Sequence, residues 1–154
     1  MVFSPIQFPH PGRRIPGEII GQTYIMHIEH IALWTDDPDR LVHFYVTYFG
    51  AVAGSRYADP EKNFESYFLT FDNGARLEIM KTTSLNPVSI PPGAQRMGLT
   101  HFAISVGSEQ MVDRLTSRVK SGHYIILDPP RRTGDGYYES VVLDPDGNRI
   151  EITI

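Results

Sequence analysis

Residues 144–152 read Asp144-Pro145-Asp146-Gly147-Asn148-Arg149-Ile150-Glu151-Ile152, a tight turn that leads into a strand of alternating side chains. A near copy stands earlier in the chain, Phe71-Asp72-Asn73-Gly74-Ala75-Arg76-Leu77-Glu78-Ile79. Both copies contain a glycine, one intervening residue, an arginine, an aliphatic residue, a glutamate and an isoleucine. A shared string of this length indicates a duplicated segment.

A second pair of similar strings supports the duplication. Ile28-Glu29-His30-Ile31-Ala32-Leu33 is echoed by Leu99-Thr100-His101-Phe102-Ala103-Ile104. The two histidines are 71 positions apart and the two glutamates are 73 apart, so the offset is nearly constant. Two copies are too few for a solenoid. They predict one α+β domain made of two modules with approximate two-fold symmetry.

Each module is predicted to run strand, helix, then strands. Asp37 and Pro38 suit the start of a helix that Gly50 ends, with an apolar face of Leu41, Phe44, Tyr45, Tyr48 and Phe49. Ser108 suits the start of a second helix that carries Met111, Leu115 and Val119 on one face and ends at Gly122. The predicted strands are 28–34, 64–71, 75–80, 99–106, 124–127, 137–143 and 148–154.

Side chains alternate across a strand, and this alternation decides which residues share a face. Four metal-capable side chains lie opposite the aliphatic faces of their strands: His30, Glu78, His101 and Glu151. A carboxylate on a sheet face needs a partner, because a lone buried charge is costly. Two neutral imidazoles and two carboxylates would balance the charge of one divalent cation. The pattern therefore predicts a metal site and an enzyme.

Bulk properties exclude several classes of protein. A length of 154 residues suits one domain, and the hydrophobic content of 41% is enough for a core. The net charge of −4 argues against nucleic acid as a partner. The absence of cysteine excludes disulfides and thiolate catalysis. No apolar run approaches the roughly 20 residues that span a bilayer, so we expect a cytoplasmic protein without a membrane partner.

Composition also suggests the boundaries. Residues 1–25 are rich in proline and glycine and are predicted to be an N-terminal extension or leader. Residues 26–154 are predicted to form the single domain, with modules 26–81 and 98–154. The linker 82–97 contains Pro87, Pro91 and Pro92.

From Met26 to Ile154 the chain resembles the vicinal oxygen chelate superfamily, and within it the glyoxalase I type most closely. The strings quoted above carry the resemblance, and the Asp-Pro-Asp-Gly-Asn turn followed by its glutamate is a specific mark of the family, though not of one reaction. The resemblance implies two βαβββ modules that form a concave mixed sheet, the glyoxalase/bleomycin resistance/dihydroxybiphenyl dioxygenase fold. It also implies a homodimer with sites at or near the interface, so that the ligands of one metal could come from two chains.

The resemblance implies roles for the four side chains. His30, Glu78, His101 and Glu151 would bind one divalent ion per site, with nickel or zinc favoured and iron, manganese or cobalt also suitable. The ion would chelate a small substrate through two adjacent oxygens and stabilise an enediolate. Glu151 is the first candidate for the base that removes the proton, with Glu78 as its partner.

Other positions bear on the substrate. Trp34 and Thr82 stand where bacterial glyoxalase I enzymes carry an arginine and an asparagine that hold glutathione. With Arg131 and Tyr138 they are candidate substrate-binding residues, although a core role for Trp34 and a solvated loop for Arg131 stay open. The sequence predicts a lyase or isomerase acting on a small substrate, which could be a thiol adduct. The alternatives are a dioxygenase, epimerase or thiol transferase of the same superfamily, or a bleomycin-resistance-type binding protein.

Overall fold

The computed structural model describes residues 18–19, 22–23, 26–85, 91–95 and 97–154. The predicted extension 1–25 lies outside them, apart from the backbone of a short hairpin of β1 (Glu18–Ile19) and β2 (Gln22–Thr23). Residues 86–90 and 96 of the predicted linker also lie outside the described residues.

The first module comprises β3 (His30–Trp34), α1 (Pro38–Phe49), β4 (Val52–Ala53), β5 (Tyr57–Asp59), a 3-10 turn (Pro60–Lys62), β6 (Phe64–Thr70) and β7 (Arg76–Thr82). The second comprises β8 (Phe102–Ser105), α2 (Glu109–Ser121), β9 (Ile126–Arg132), β10 (Tyr138–Leu143) and β11 (Arg149–Thr153). The predicted α+β fold of two βαβββ modules is confirmed.

The two sheets have the same topology. The strand order is β3-β7-β6-β4 in the first, with β5 added on β6, and β8-β11-β10-β9 in the second. In each sheet the first and last strands of the module lie side by side and parallel, while the other pairs are antiparallel. The strands β3 and β8 therefore each stand at the end of a sheet.

The helix ends follow the local sequence signals. Asp37 accepts a hydrogen bond from the Arg40 amide, Pro38 occupies the first turn, and Gly50 closes α1 with a φ of 67°. Ser108 caps α2 in the same way, through the Met111 amide. These predictions are confirmed, but Met111 is exposed, and Val112 takes its place in the buried face of α2.

One core joins the two modules. The apolar faces of both helices and the inner faces of both sheets form a single buried cluster, whose fully buried members include Leu41, Phe44, Ile79, Val119 and Ile152. The Phe44 and Tyr124 rings, one from each module, lie 4.7 Å apart. The strand residues in this cluster are the aliphatic ones, so their polar neighbours in sequence face away from it.

The strand β9 differs from its prediction. It runs to Arg132 through Pro129 and Pro130, well beyond the predicted end at Leu127. Among the described residues β9 pairs with β10 alone, so the prolines remove no hydrogen bond to a second described strand. The pairing shifts register between Glu139 and Val141, which sets Glu139 opposite Arg131.

A buried polar contact ties the Asp-Pro-Asp-Gly turn to the other module. The Tyr45 hydroxyl donates to Asp144 Oδ2 at 2.9 Å, and both side chains are buried. Asp144 also accepts bonds from the backbone amides of Asp146 and Asn148 and from the Asn148 side chain. Burial raises the pKa of Tyr45 well above its usual value, so the phenol remains a donor.

We expect Tyr45→Phe to lower the free energy of unfolding by about 1.5–3 kcal/mol, because it removes a hydrogen bond to a buried charged group. Urea denaturation measures the change. Tyr48→Phe is the matched control, since no hydrogen bond to the Tyr48 hydroxyl is seen among the described residues. Equal losses for both variants would mean that the Tyr45–Asp144 bond adds no stability.

None of the helices among the described residues combines the length and apolar character that crossing a membrane requires.

Candidate metal centre

The first module brings His30 and Glu78 together. His30 opens β3, and Glu78 lies in the neighbouring parallel strand β7, opposite Ala32. The imidazole Nε2 is 3.8 Å from Glu78 Oε2. Their strand neighbours Leu77 and Ile79 are buried in the core, so this pair lies on the face of the sheet that the core leaves free. That face is called the ligand face below.

The second module repeats the arrangement. His101 stands just before β8, and Glu151 lies in the parallel strand β11, opposite Ala103. The His101 Nε2 atom is 3.3 Å from Glu151 Oε2. The duplication has therefore preserved the register between the first and last strands of each module, and with it the position of one imidazole beside one carboxylate.

Each pair fits half of a divalent-metal site. Two ligands at about 2.0–2.2 Å from one ion place their donor atoms roughly 3.0–3.6 Å apart. The observed separations of 3.3 and 3.8 Å come close to that range. However, the pairs lie on separate sheets, and among the described residues no group of three or more His, Asp or Glu side chains is close enough to hold one ion.

The orientation of His30 has a cause that sequence reasoning missed. Its Nδ1 atom contacts Glu29 Oε2, and Glu29 is itself held by Arg76, whose Nε donates to Oε1 at 2.7 Å. The Arg76 guanidinium lies 4.1 Å from the centre of the Phe68 ring. These contacts leave Nε2 directed at Glu78. Strand alternation places Glu29 on the opposite face, but Glu29 precedes β3 and does not obey that alternation.

Glu139 is a second residue that sequence reasoning missed. It lies on β10 opposite Thr153, on the ligand face, and is only 8% exposed. Arg131 Nη1 donates to its Oε1 atom at 3.1 Å. Burial first, and then the charge of Glu139, raise the pKa of Glu151, while His101 opposes the shift. The signal in the sequence was the alternation of Glu139 with Val141 on the strand that pairs with Glu151.

Three of the four candidate substrate-binding residues lie on the ligand faces of the two modules, and one does not. Trp34 and Thr82 lie on the ligand face of the first module, where the Trp34 and Phe64 rings are nearly perpendicular and their centres are 6.2 Å apart. Arg131 lies on the ligand face of the second module. Tyr138 lies on the other face, and its hydroxyl donates to Asp113 of α2 at 2.9 Å. The structure thus separates Tyr138 from the His101–Glu151 pair.

The two modules enclose clefts along their end strands. A cleft of about 800 Å³ is lined by residues of both, among them Trp34, Thr100, His101 and Arg149. A second, of about 780 Å³, is lined by Ile31, Arg76 and Ile104 among others. Neither cleft includes Glu78 or Glu151 in its lining. Of the two His–Glu pairs, only His101 lines one of these two clefts.

Comparison with known proteins gives a family and a fold. A family model of the glyoxalase/bleomycin resistance protein/dioxygenase superfamily matches residues 27–152. Comparison with functionally curated proteins gives no significant match.

Solved structures share the fold at low sequence identity. Glyoxalase I from Zea mays has a TM-score of 0.68 and 23% identity over 82% of this chain, which spans only 44% of the maize chain. The trypanothione-dependent glyoxalase I of Leishmania major has a TM-score of 0.65 and 21% identity, covering 84% of this chain and 86% of its own. A glyoxylase/bleomycin resistance protein/dioxygenase domain from Frankia sp. EAN1pec has a TM-score of 0.72 and 16% identity, covering 85% and 98%.

Proposed function

Since the chain belongs to the glyoxalase/bleomycin resistance protein/dioxygenase superfamily, we propose that it is a metal-dependent lyase or isomerase of the glyoxalase I type. The observation that carries the proposal is the pair of matched imidazole–carboxylate contacts, His30 with Glu78 and His101 with Glu151. A binding protein that needs no metal would have no use for two such pairs on open sheet faces. The substrate is a small molecule with two adjacent oxygens, either free or as a thiol adduct.

His30, Glu78, His101 and Glu151 would hold one divalent ion, with nickel or zinc as the first candidates. When bound, the ion would act as a Lewis acid on two adjacent substrate oxygens and stabilise the charge that develops on them. Two carboxylates balance its charge, and both imidazoles can bind through Nε2. For His30, Glu29 holds the proton at Nδ1 and so leaves Nε2 free as a ligand.

Glu151 is the proposed general base. Burial raises the pKa of Glu151, and a carboxylate held beside the reacting carbon can act as the base that removes its proton. Glu78 would serve as its partner on the opposite side of the substrate.

Trp34 and Phe64 give the first module an aromatic wall beside the site, while Arg131 and Glu139 give the second module a charged one. Trp34, Thr82 and Arg131 are the proposed substrate contacts, and Tyr138 is left out because it faces α2.

A complete site is proposed to form between two copies of the chain. The end strands β3 and β8 lack a neighbour on one side among the described residues, and the pairs they carry are each half a site. The residues that precede them, Ile28 and Leu99, occupy equivalent positions and are 68% and 63% exposed. Pairing of β3 from one copy with β8 of the other would cover these side chains and place the two His–Glu pairs on one continuous sheet.

The proposed function is tested by metal content and by turnover. Protein reconstituted with nickel, zinc or iron is expected to hold about one ion per chain, as a closed four-ligand set implies. Conversion of the methylglyoxal hemithioacetal is then followed with several thiols and each metal. Protein that retains no metal after reconstitution would contradict the proposal. Metal binding without turnover of any adduct would instead favour another metal-dependent reaction of the superfamily, such as ring cleavage, epimerisation or thiol transfer.

We expect Glu29→Ala to weaken metal binding by about 10–100-fold, the usual effect of removing a carboxylate that orients a histidine ligand. A chelator competition assay measures the affinity. Thr100→Ala is the matched control, because Thr100 precedes His101 as Glu29 precedes His30. If both variants bound metal like the unmodified protein, Glu29 would have no part in orienting His30.

A further inference from the structure

The ligand face of the second module carries a buried polar pair of residues to which the proposed function assigns no substrate contact. Glu139 and Thr153 lie opposite each other on β10 and β11 and are 8% and 7% exposed. Arg131 engages Glu139 Oε1, and the Glu139 carboxylate also lies within hydrogen-bonding reach of the Glu151 carboxylate. The Thr153 hydroxyl is buried and has no hydrogen-bond partner among the described residues. Glu139 and Thr153 together are called the hydroxyl pocket below.

The fold does not require these two polar side chains. At the equivalent places of the first module the same strand pair carries Ser66 and Met80, which lie opposite each other on β6 and β7. A buried carboxylate and an unpaired buried hydroxyl both cost free energy of folding. The first module has no carboxylate and no threonine at these places, so the duplicated fold does not require them. The buried Thr153 hydroxyl without a partner among the described residues therefore points to a ligand.

The hydroxyl pocket lies within reach of the proposed metal. Thr153 is two residues from Glu151 on the same strand face, a separation of roughly 6.5–7 Å along the strand. Side chains that face each other across antiparallel strands have Cβ atoms about 4.5–5.5 Å apart. A substrate atom two or three bonds beyond the chelating oxygens would therefore meet Glu139 and Thr153.

The chemistry of the hydroxyl pocket selects the group that fits. The Glu139 carboxylate accepts hydrogen bonds, and the Thr153 hydroxyl can both donate and accept. A substrate hydroxyl can donate to Glu139 and accept from Thr153 at the same time. An apolar group would leave both protein groups without a partner, and such a loss discriminates strongly between substrates.

We propose that Glu139 and Thr153 bind a substrate hydroxyl, so that the enzyme acts on compounds bearing a hydroxyl next to the chelating oxygens and discriminates against those with an alkyl group there. This inference rests on the proposed function, since the metal positions the rest of the substrate. Arg131 holds Glu139 in place and balances its charge. The Glu139–Arg131 pair thus adds no net charge, and the selected group is a neutral hydroxyl.

Hydroxamates test the inference because they chelate metals through two adjacent oxygens. The probes are acetohydroxamate and two hydroxylated analogues, glycolohydroxamate and 3-hydroxypropionohydroxamate. Their dissociation constants are measured by titration calorimetry on the nickel-loaded protein. We expect at least one hydroxylated probe to bind about 10-fold more tightly than acetohydroxamate, as expected for a hydrogen bond to a charged group.

Thr153→Val tests the assignment of the hydroxyl pocket. It is expected to abolish the preference for the hydroxylated probe without lowering the midpoint of urea unfolding, because it removes an unpaired buried hydroxyl. Thr116→Val is the matched control. The Thr116 hydroxyl is also buried, but it bonds to Val112 and Ser140 at 2.6 Å, away from the ligand face. This control should lose stability and keep the preference.

The outcomes separate the inference from the proposed function. If none of the hydroxamates binds the nickel-loaded protein, the proposed chelation of a substrate by the bound metal is wrong, and the hydroxyl pocket is wrong with it. If acetohydroxamate binds as tightly as both hydroxylated probes, the metal site stands and the hydroxyl pocket is wrong. A preference that survives Thr153→Val would overturn the assignment to Thr153.

Discussion

Glu151→Gln is expected to reduce turnover by about 10²–10⁴-fold, the range that a positioned general base contributes. The amide has nearly the same shape as the carboxylate and retains an oxygen that can bind a cation, but it cannot take up a proton at the working pH. Metal should therefore remain bound in substantial amount while turnover is lost. The steady-state rate and the metal content of the same sample are measured together.

Two further variants show how the loss of turnover in Glu151→Gln is to be interpreted. Glu78→Gln reports whether the carboxylate of the first module shares the role of base, and a smaller loss than in Glu151→Gln is expected. Glu109→Gln is the control for loss of one negative charge in the second module, since Glu109 lies in the first turn of α2 and is an exposed partner of Arg132. Unchanged activity in Glu151→Gln would remove Glu151 as the base.

Mixing two inactive variants is expected to restore function if the site forms between two chains. His30→Ala damages only the first module, and His101→Ala damages only the second. A heterodimer of the two contains one site in which both halves are damaged and one in which both are intact. Because half of randomly assorted dimers are heterodimers with one of two sites intact, about a quarter of the unmodified metal content should return.

The measurement is the metal bound per chain after the variants are mixed, partly unfolded to allow exchange, and refolded with nickel. It needs no knowledge of the substrate. His30→Ala mixed with Glu78→Ala is the control, since both damage the first module and no heterodimer then contains an intact site. A site built within one chain would leave the first mixture as empty as the control.

Much of the fold could be predicted because its signals are local. The caps at Asp37 and Ser108 and the ends at Gly50 and Gly122 depend on a few neighbouring residues each, and all four lie where they were expected. The partners of each metal-capable side chain could be expected from the duplication, since the same string recurs with the same strand frame. The length of β9 could not, because its prolines are tolerated only at the edge of the sheet, which is a property of the assembled strand order.

The side-chain contacts in the candidate site could not be predicted from the sequence, because they depend on the register between distant strands. Glu29 can reach His30 and Arg76 because it lies one residue before β3 begins and does not follow the alternation of that strand. Glu139 faces Arg131 because of the register shift between β9 and β10. Tyr138 faces α2 and its neighbour Glu139 faces the other way, because adjacent residues of one strand point to opposite faces. No local pattern reveals which of two possible registers a strand pair adopts.

The sequence by itself determined that four metal-capable side chains share the faces opposite the core, because alternation along a strand has a period of two and needs no tertiary information. Only the tertiary structure decided how they are grouped. Parallel pairing of the first and last strands of each module brings His30 to Glu78 and His101 to Glu151, while the absence of hydrogen bonds between the two described sheets keeps the pairs apart. Pairing between strands depends on backbone contacts across long stretches of chain, and that is why the division into two half-sites appears only in the folded protein.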